Sequence, residues 1–311
     1  MTNHIVPSAI AILQERAAEW DAHLQRLVAA NELSMKTRQT YNAALGRFIR
    51  WIAANPQSTM QTVGIDYKVY LSPNSPFSVN VWITGVRAFF NWAVEVGHFT
   101  SNPFAKIKGI KRAGTSQKHF KQPLTDDEVR RVLAIIDTTK PEGVRDLAII
   151  SLMLYCGLRT VEINRSNYEY LRTDKNQLVF DVQGKGRFSA DDYVVIANQH
   201  AITNLMAWIA VRGRANGALF TSYSDRSRGA RLTTDSIRHM VKRYILLAGV
   251  VGAKKSTHSL RHTAITKAIQ NGAKPQKVQS MARHANISTT MIYYHEFDRV
   301  TDPAEAYIDY E

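Results

Sequence analysis

The chain has 311 residues, 40 Lys and Arg against 26 Asp and Glu, and one cysteine, giving a formal charge of +14. A single cysteine, Cys156, excludes an internal disulfide and a cysteine-built zinc site and fits a reducing cytoplasm. No run of about 18 apolar residues is present, so no membrane span is expected, and the first residues lack the basic-then-apolar order of a signal peptide. An apolar fraction of 45% excludes wholesale disorder, the length suggests about two domains, and the charge favours a polyanion such as nucleic acid.

Residues 8–31 read as an amphipathic helix. Leu13, Ala17, Trp20, Leu24 and Leu27 form one stripe, which docks either on its own domain or on another protomer. A second helix follows Ser34, with Tyr41, Leu45, Phe48 and Ile52 inward and Lys36, Arg38, Arg47 and Arg50 around the rest. A short helix is expected near 65–71 and a longer one over about 78–96, stopped by Gly97. Residues 1–105 are thus expected as a small helical domain. Residues 106–123 (KIKGIKRAGTSQKHFKQP) carry Lys106, Lys108, Lys111, Arg112, Lys118 and Lys121 with no acid, and read as a basic linker.

A second domain, 124–295, opens on Thr125 and Glu128 in capping-box spacing. Helices are expected over about 125–137, 142–156, 199–212, 233–248, 259–271 and 274–282. Strands at 177–183 and 192–197, separated by Gly184-Lys185-Gly186-Arg187, form the one expected sheet. The fold class is therefore mainly α with a small antiparallel β-sheet in the second domain. The tail, 296–311, is acidic (Glu296, Asp298, Asp302, Glu305, Asp309, Glu311). It should hold a short helix around Ala306, Tyr307 and Ile308 that docks in cis or, as we favour, in trans.

Several common machineries are missing. There is no G-x-x-x-x-G-K-[ST], no G-x-G-x-x-G with a ribose acid, no H-E-x-x-H and no tight carboxylate cluster for paired metals. Cations stand instead at spaced positions. Arg159 follows the break at Gly157, Lys185 lies in the interstrand turn, and His258 and Arg261 share a face at a helix start. His284 follows, and nine residues later comes Tyr293, with Tyr294 beside it.

Gly-Leu-Arg159 with Glu162 three residues on, the hairpin Lys185, His258-x-Leu-Arg261-His, and His284-x8-Tyr293 through Ser-Thr-Thr-x-x-Tyr together resemble the tyrosine recombinase (phage integrase) family, in its Xer-like, phage or transposon integrase branches. The resemblance covers about 124–295 and extends to the SxKTxxxYxxxLxxFxxW pattern from Ser34 to Trp51, which is similar to the family's core-binding helical domain. It implies a two-domain DNA clamp that cuts and rejoins strands through a covalent 3′-phosphotyrosyl intermediate. It implies Tyr293 as nucleophile and a tetramer on two double-stranded recombination sites, compatible with accessory DNA-bending proteins. The setting would be the cytoplasm, at the nucleoid.

A phenol titrates near ~10 and needs help to attack phosphorus at neutral pH. Arg159 and Arg261 suit the non-bridging phosphate oxygens. His258 can accept the tyrosine proton or orient the phosphate, Lys185 can protonate the departing 5′-oxygen, and His284 can donate a hydrogen bond. The bond energy is kept in the intermediate, so neither ATP nor a metal or other cofactor is called for. Lys36, Arg38, Lys106, Lys108, Lys111 and Arg112 are the expected DNA contacts. The chain departs from the family at Arg283, where Gly is usual. The alternatives are a type IB topoisomerase-like relaxing enzyme and a non-catalytic DNA-binding protein on the same scaffold.

Overall fold

The computed structural model describes residues 7–110, 122–184, 189–251 and 255–301, with Ala306 and Ile308; side chains are described within residues 12–294 of these ranges and at those two positions. The chain forms two units, Met1–Thr115 and Ser116–Glu311.

The first unit is four helices: α1 (Pro7–Ala29), α2 (Met35–Ala54), α3 (Val63–Leu71) and α4 (Pro76–Glu95). Ser34 and Ser75 cap α2 and α4 by accepting from the Thr37 and Ser78 amides, and Pro76 opens α4 where its missing N–H costs nothing. The α2 and α4 backbones meet closely at Gly85, where a Cβ would lie 2.7 Å from that of Ala44. Leu13, Trp20 and Leu24 are buried in the same core as Phe48, Phe89 and Phe104, and Trp20 meets Phe89 edge-on at 5.9 Å. The α1 stripe therefore docks on its own unit.

Packing continues past residue 105, into the expected linker. Ile107 joins the core, and Asn80 bonds both the amide and the carbonyl of Ile110 at 2.7 and 3.2 Å. Two apolar residues among lysines were too weak a pattern to reveal this.

The second unit runs α5 (Asp126–Ala134), α6 (Pro141–Cys156), α7 (Thr160–Arg165), β1 (Leu171–Asp174), β2 (Gln177–Val182), β3 (Asp192–Ile196), α8 (Gln199–Arg212), α9 (Thr234–Leu247), α10 (Thr257–Gln270), α11 (Pro275–Ala282) and α12 (Ile287–Thr301). Thr125 and Glu128 form the capping box of α5. Helix α6 is buried along nearly its whole length, with Ser151 the one polar residue between Leu147 and Cys156, and packs on α8 and α10.

The antiparallel sheet has order β1-β2-β3, with Leu171 opposite Phe180 and Phe180 opposite Val194. It has one strand more than expected. β1 has four residues, three of them exposed, so it carries no readable alternation. It joins β2 through Lys175 and Asn176, both at positive φ, as a tight hairpin turn needs. Helix α7 was also unforeseen; at six residues it is below the length at which periodicity speaks.

Helix α10 is fastened from α5 and the residue before it. The Leu124 amide donates to Thr263 at 2.8 Å, and Lys267 pairs with Asp126 at 2.6 Å. Helix α12 continues through Thr301, so the acidic stretch expected as a separate tail from 296 begins inside the helix that carries Tyr293. Ala306 and Ile308 are exposed; the other tail residues expected to dock lie outside the described residues.

Candidate active site

The site is built where α6 ends. Gly157 takes the left-handed conformation (φ 62°) that stops the helix and leaves its carbonyl without a helical partner. The Arg261 guanidinium donates to that carbonyl and also to the carbonyl of Ala282. Arg159 donates to the same Ala282 carbonyl and to that of Arg283, each at 3.1 Å. The two arginines, 102 positions apart in the chain by subtraction of their numbers, thus share one acceptor at the end of α11.

Glu162 organises the rest. Its carboxylate accepts from the Arg159 amide (2.7 Å), from the Arg159 guanidinium (2.8 Å) and from Arg283 through two nitrogens (2.6 and 3.2 Å). Burial by itself pushes the Glu162 carboxyl up. The charge and hydrogen bond of Arg283, with those of Arg159, outweigh it and hold the group below the usual carboxylate range. Burial, then the charges of Arg159 and Arg283, presses Arg261 down to about 9; Glu162 and Tyr293 oppose this. Arg261 therefore stays charged at neutral pH. Three guanidiniums around one carboxylate leave a net positive pocket, which is what a phosphate demands.

Arg283 was expected only as a departure from glycine. It caps α11 at φ 51°, a left-handed conformation that explains why glycine suits the position. Its side chain, 3% exposed, is fully employed on Glu162, Met281 and Gly157. Losing one partner of a buried ion pair costs about 3–5 kcal/mol, and relief of a left-handed residue returns about 1–2 kcal/mol. Arg283→Gly is therefore expected to lower the urea midpoint of the protein; a raised midpoint would mean that backbone strain dominates. Because Glu162 titrates lower when folded, its contribution is complete above the unfolded carboxylate value and is lost as pH falls through the folded one. The wild-type advantage over Arg283→Gly should fade in that acid window.

The junction after Arg283 places His284, whose Nδ1 lies 2.9 Å from Oγ1 of the buried Thr290. The His284 ring stacks alongside that of Tyr293. Tyr293 is 7% exposed, and its hydroxyl meets Nδ1 of His262 at 2.5 Å. Tyr294 points elsewhere: its hydroxyl donates to the Ala273 carbonyl at the α10–α11 turn. His258 is exposed in the first turn of α10, one turn before His262. Cys156 is buried, and burial pushes its thiol up to about 12.

The described residues therefore bring together Arg159, Arg261, His284 and Tyr293, with His258 on the same helix as Arg261. Lys185 lies outside them. The carbonyl of Gly184 just before it accepts from Arg165 at 2.9 Å, which ties that end of β2 to α7. Of the expected DNA contacts, Lys36, Lys106 and Lys108 are exposed, and Lys111 and Arg112 lie outside the described residues. Arg38 instead pairs with Asp21 through two bonds of 2.8 and 2.6 Å; a partner seventeen residues back on another helix could not be read from local charge.

One participant went unassigned in the sequence. His262 stood in the quoted His-x-Leu-Arg-His run without a role. Its signal was its position directly after Arg261, about 100° further round the helix.

A model of the phage integrase family matches residues 122–299. Tyrosine recombinase XerD of Lacticaseibacillus casei is 30% identical over 277 residues, covering 85% of this chain and 88% of its own. Tyrosine recombinase XerC of Serratia marcescens is 27% identical over 284 residues, covering 88% and 89%. Among solved structures, XerH bound to palindromic difH substrate in a post-cleavage complex superposes with a TM-score of 0.71 at 19% identity, covering 92% of this chain and 84% of that one. The Tn1549 transposon integrase with circular intermediate DNA gives 0.66 at 17%, covering 94% and 99%; at these identities the likeness is one of fold. The family match takes in more than half of the chain, from before α5 to within α12, and this chain belongs to the phage integrase family.

Proposed function

We infer that this protein is a site-specific DNA recombinase that cuts and rejoins strands through a tyrosine ester. The observation that carries this is the Tyr293 hydroxyl lodged against the helix that bears Arg261, within electrostatic reach of that guanidinium. Tyr293 Oη attacks the scissile phosphorus, the bond to the 5′-oxygen breaks, and that oxygen takes up a proton from Lys185. Arg159 and Arg261 hold the non-bridging oxygens as charge builds on them, and His258 and His284 add hydrogen bonds. A free 5′-hydroxyl then attacks the phosphotyrosyl ester and releases Tyr293. One bond is made for each broken, so the two steps need no external energy.

The N-terminal unit and the basic stretch around Lys106 and Lys108 would grip the duplex, with Lys36 at the start of α2, and Lys111 and Arg112 would extend that grip. Four copies on two duplexes, with accessory DNA-bending proteins where a site requires them, would carry out the exchange in the cytoplasm, at the nucleoid. The test selects the bound sequence from random duplexes and then supplies two copies of it on one supercoiled plasmid. Exchange between the copies supports the reading. Relaxation of any plasmid without exchange would make the protein a type IB-like relaxing enzyme, and binding without any covalent adduct would make it a binding protein.

A further inference from the structure

We propose that His262 is the residue that takes the proton from Tyr293 as it attacks. The proposal rests on the reading of Tyr293 as nucleophile and gives the proton to His262 where the sequence had offered His258. The Tyr293 hydroxyl is 2.5 Å from His262 Nδ1, with ring centroids 5.4 Å apart at 36°, so the nitrogen approaches the oxygen and not the ring face. His284 is placed differently. Its ring lies nearly parallel to Tyr293 at 18°, and its Nδ1 is engaged with Thr290. His258 is exposed one turn earlier on the same helix and is left to orient the phosphate. Proximity to the reacting proton is the first requirement of a general base, and His262 meets it.

The step balances. The O–H bond of Tyr293 breaks and its proton goes to Nδ1 of a neutral His262 that carries its own hydrogen on Nε2. The Oη–phosphorus bond forms, the bond to the 5′-oxygen breaks, and that oxygen takes its proton from Lys185. On rejoining, the His262 imidazolium returns the proton to the departing phenolate. Among the described residues, Arg261 on α10 and the stacked His284 face Tyr293, Tyr294 and His258 stand beside the pair on α12 and α10, and Arg159, Arg283 and Glu162 act on Arg261 from the α7 start and the α11–α12 junction.

Asparagine at 262 places an amide oxygen close to where Nδ1 stands, so it keeps an acceptor for the hydroxyl but cannot take up the proton. The rate of covalent adduct formation on a nicked half-site is measured against pH for wild type, His262→Asn and His262→Ala, with DNA binding and thermal melting alongside. Both variants are expected to bind DNA like wild type and to cleave about 10²–10⁴-fold more slowly. The wild-type rise in rate with pH, which reports the loss of the imidazole proton, should be missing in His262→Asn and present in His284→Asn. Fluorotyrosine at position 293, a more acidic phenol, should recover part of the His262→Asn loss even if that variant is less stable. His262→Asn cleaving at the wild-type rate with the wild-type pH profile would overturn this proposal alone. An adduct mapped to a residue other than Tyr293 would overturn the underlying reading and the proposal with it.

Discussion

Tyr293→Phe is expected to form no covalent adduct with a nicked suicide substrate, while Tyr294→Phe continues to form one. The two residues are adjacent, and the sequence separates them only by spacing. The structure separates them by partner. Tyr293 Oη is at His262 and near Arg261, whereas Tyr294 Oη is spent on the Ala273 carbonyl. Removing the nucleophilic oxygen takes away the only bond-forming atom. In enzymes with a covalent intermediate such a loss costs about 10⁶-fold in turnover, which places the variant at background. Phenylalanine keeps the ring in its cluster with Ile265, Ile269 and Val278, so DNA binding should be unaffected and stability should change by about one hydrogen bond, ~1 kcal/mol. Tyr294→Phe should show the converse: a similar small loss of stability with cleavage preserved. If the adduct survives Tyr293→Phe and disappears with Tyr294→Phe, the assignment is reversed and α12 must turn before it works.

Local signals carried a good part of this. Ser34 and Thr125 announced their helices because a cap acts on amides two or three residues away. Gly157 announced the end of α6 because a left-handed residue is a local cost. Arg283 was visible only as a departure from the family's usual glycine, whose reason is the left-handed backbone the structure shows there. Its compensation was invisible, because Glu162 lies 121 positions earlier in the chain. The shared carbonyl of Ala282 escaped for a related reason. A backbone acceptor has no sequence signature, and which arginines reach it depends on how α6, α10 and α11 meet. β1 and α7 were lost because four- and six-residue elements contain about one period of their own pattern. His262 was legible as a residue but not as a partner. Its neighbours Arg261 and His258 fitted the resemblance, and nothing in an α-helical spacing says that a tyrosine 31 residues on will close against it.

Arg159→Ala and Arg261→Ala should both abolish most cleavage, and differ in what else they break. In the proposed reaction each guanidinium stabilises charge that develops on the phosphate, and loss of one such donor costs roughly 2.7–4 kcal/mol of activation free energy, about 10²–10³ in rate. Arg261 is also a structural tie. It is 6% exposed and donates to the carbonyls of Gly157 and Ala282, so its removal takes one donor from each at the joint of α6 and α11 and leaves them to Arg283 and Arg159 alone. Each hydrogen bond from a charged group contributes about 1.5–3 kcal/mol, and Arg261→Ala, which loses two of them, is expected to melt earlier as well as to cleave slowly. Arg159 has a quarter of its side chain exposed, so water can take over part of its hydrogen bonding when it is lost. Its loss should therefore slow cleavage with a much smaller fall in melting temperature. Lysine should rescue neither, since one ammonium cannot bridge two carbonyls and a phosphate in the fixed fork that a guanidinium presents. Half-site cleavage rates set beside thermal melts for the four variants decide the matter. Arg159→Ala cleaving within a few-fold of wild type would remove it from the phosphate site and leave it as the amide-capped partner of Glu162.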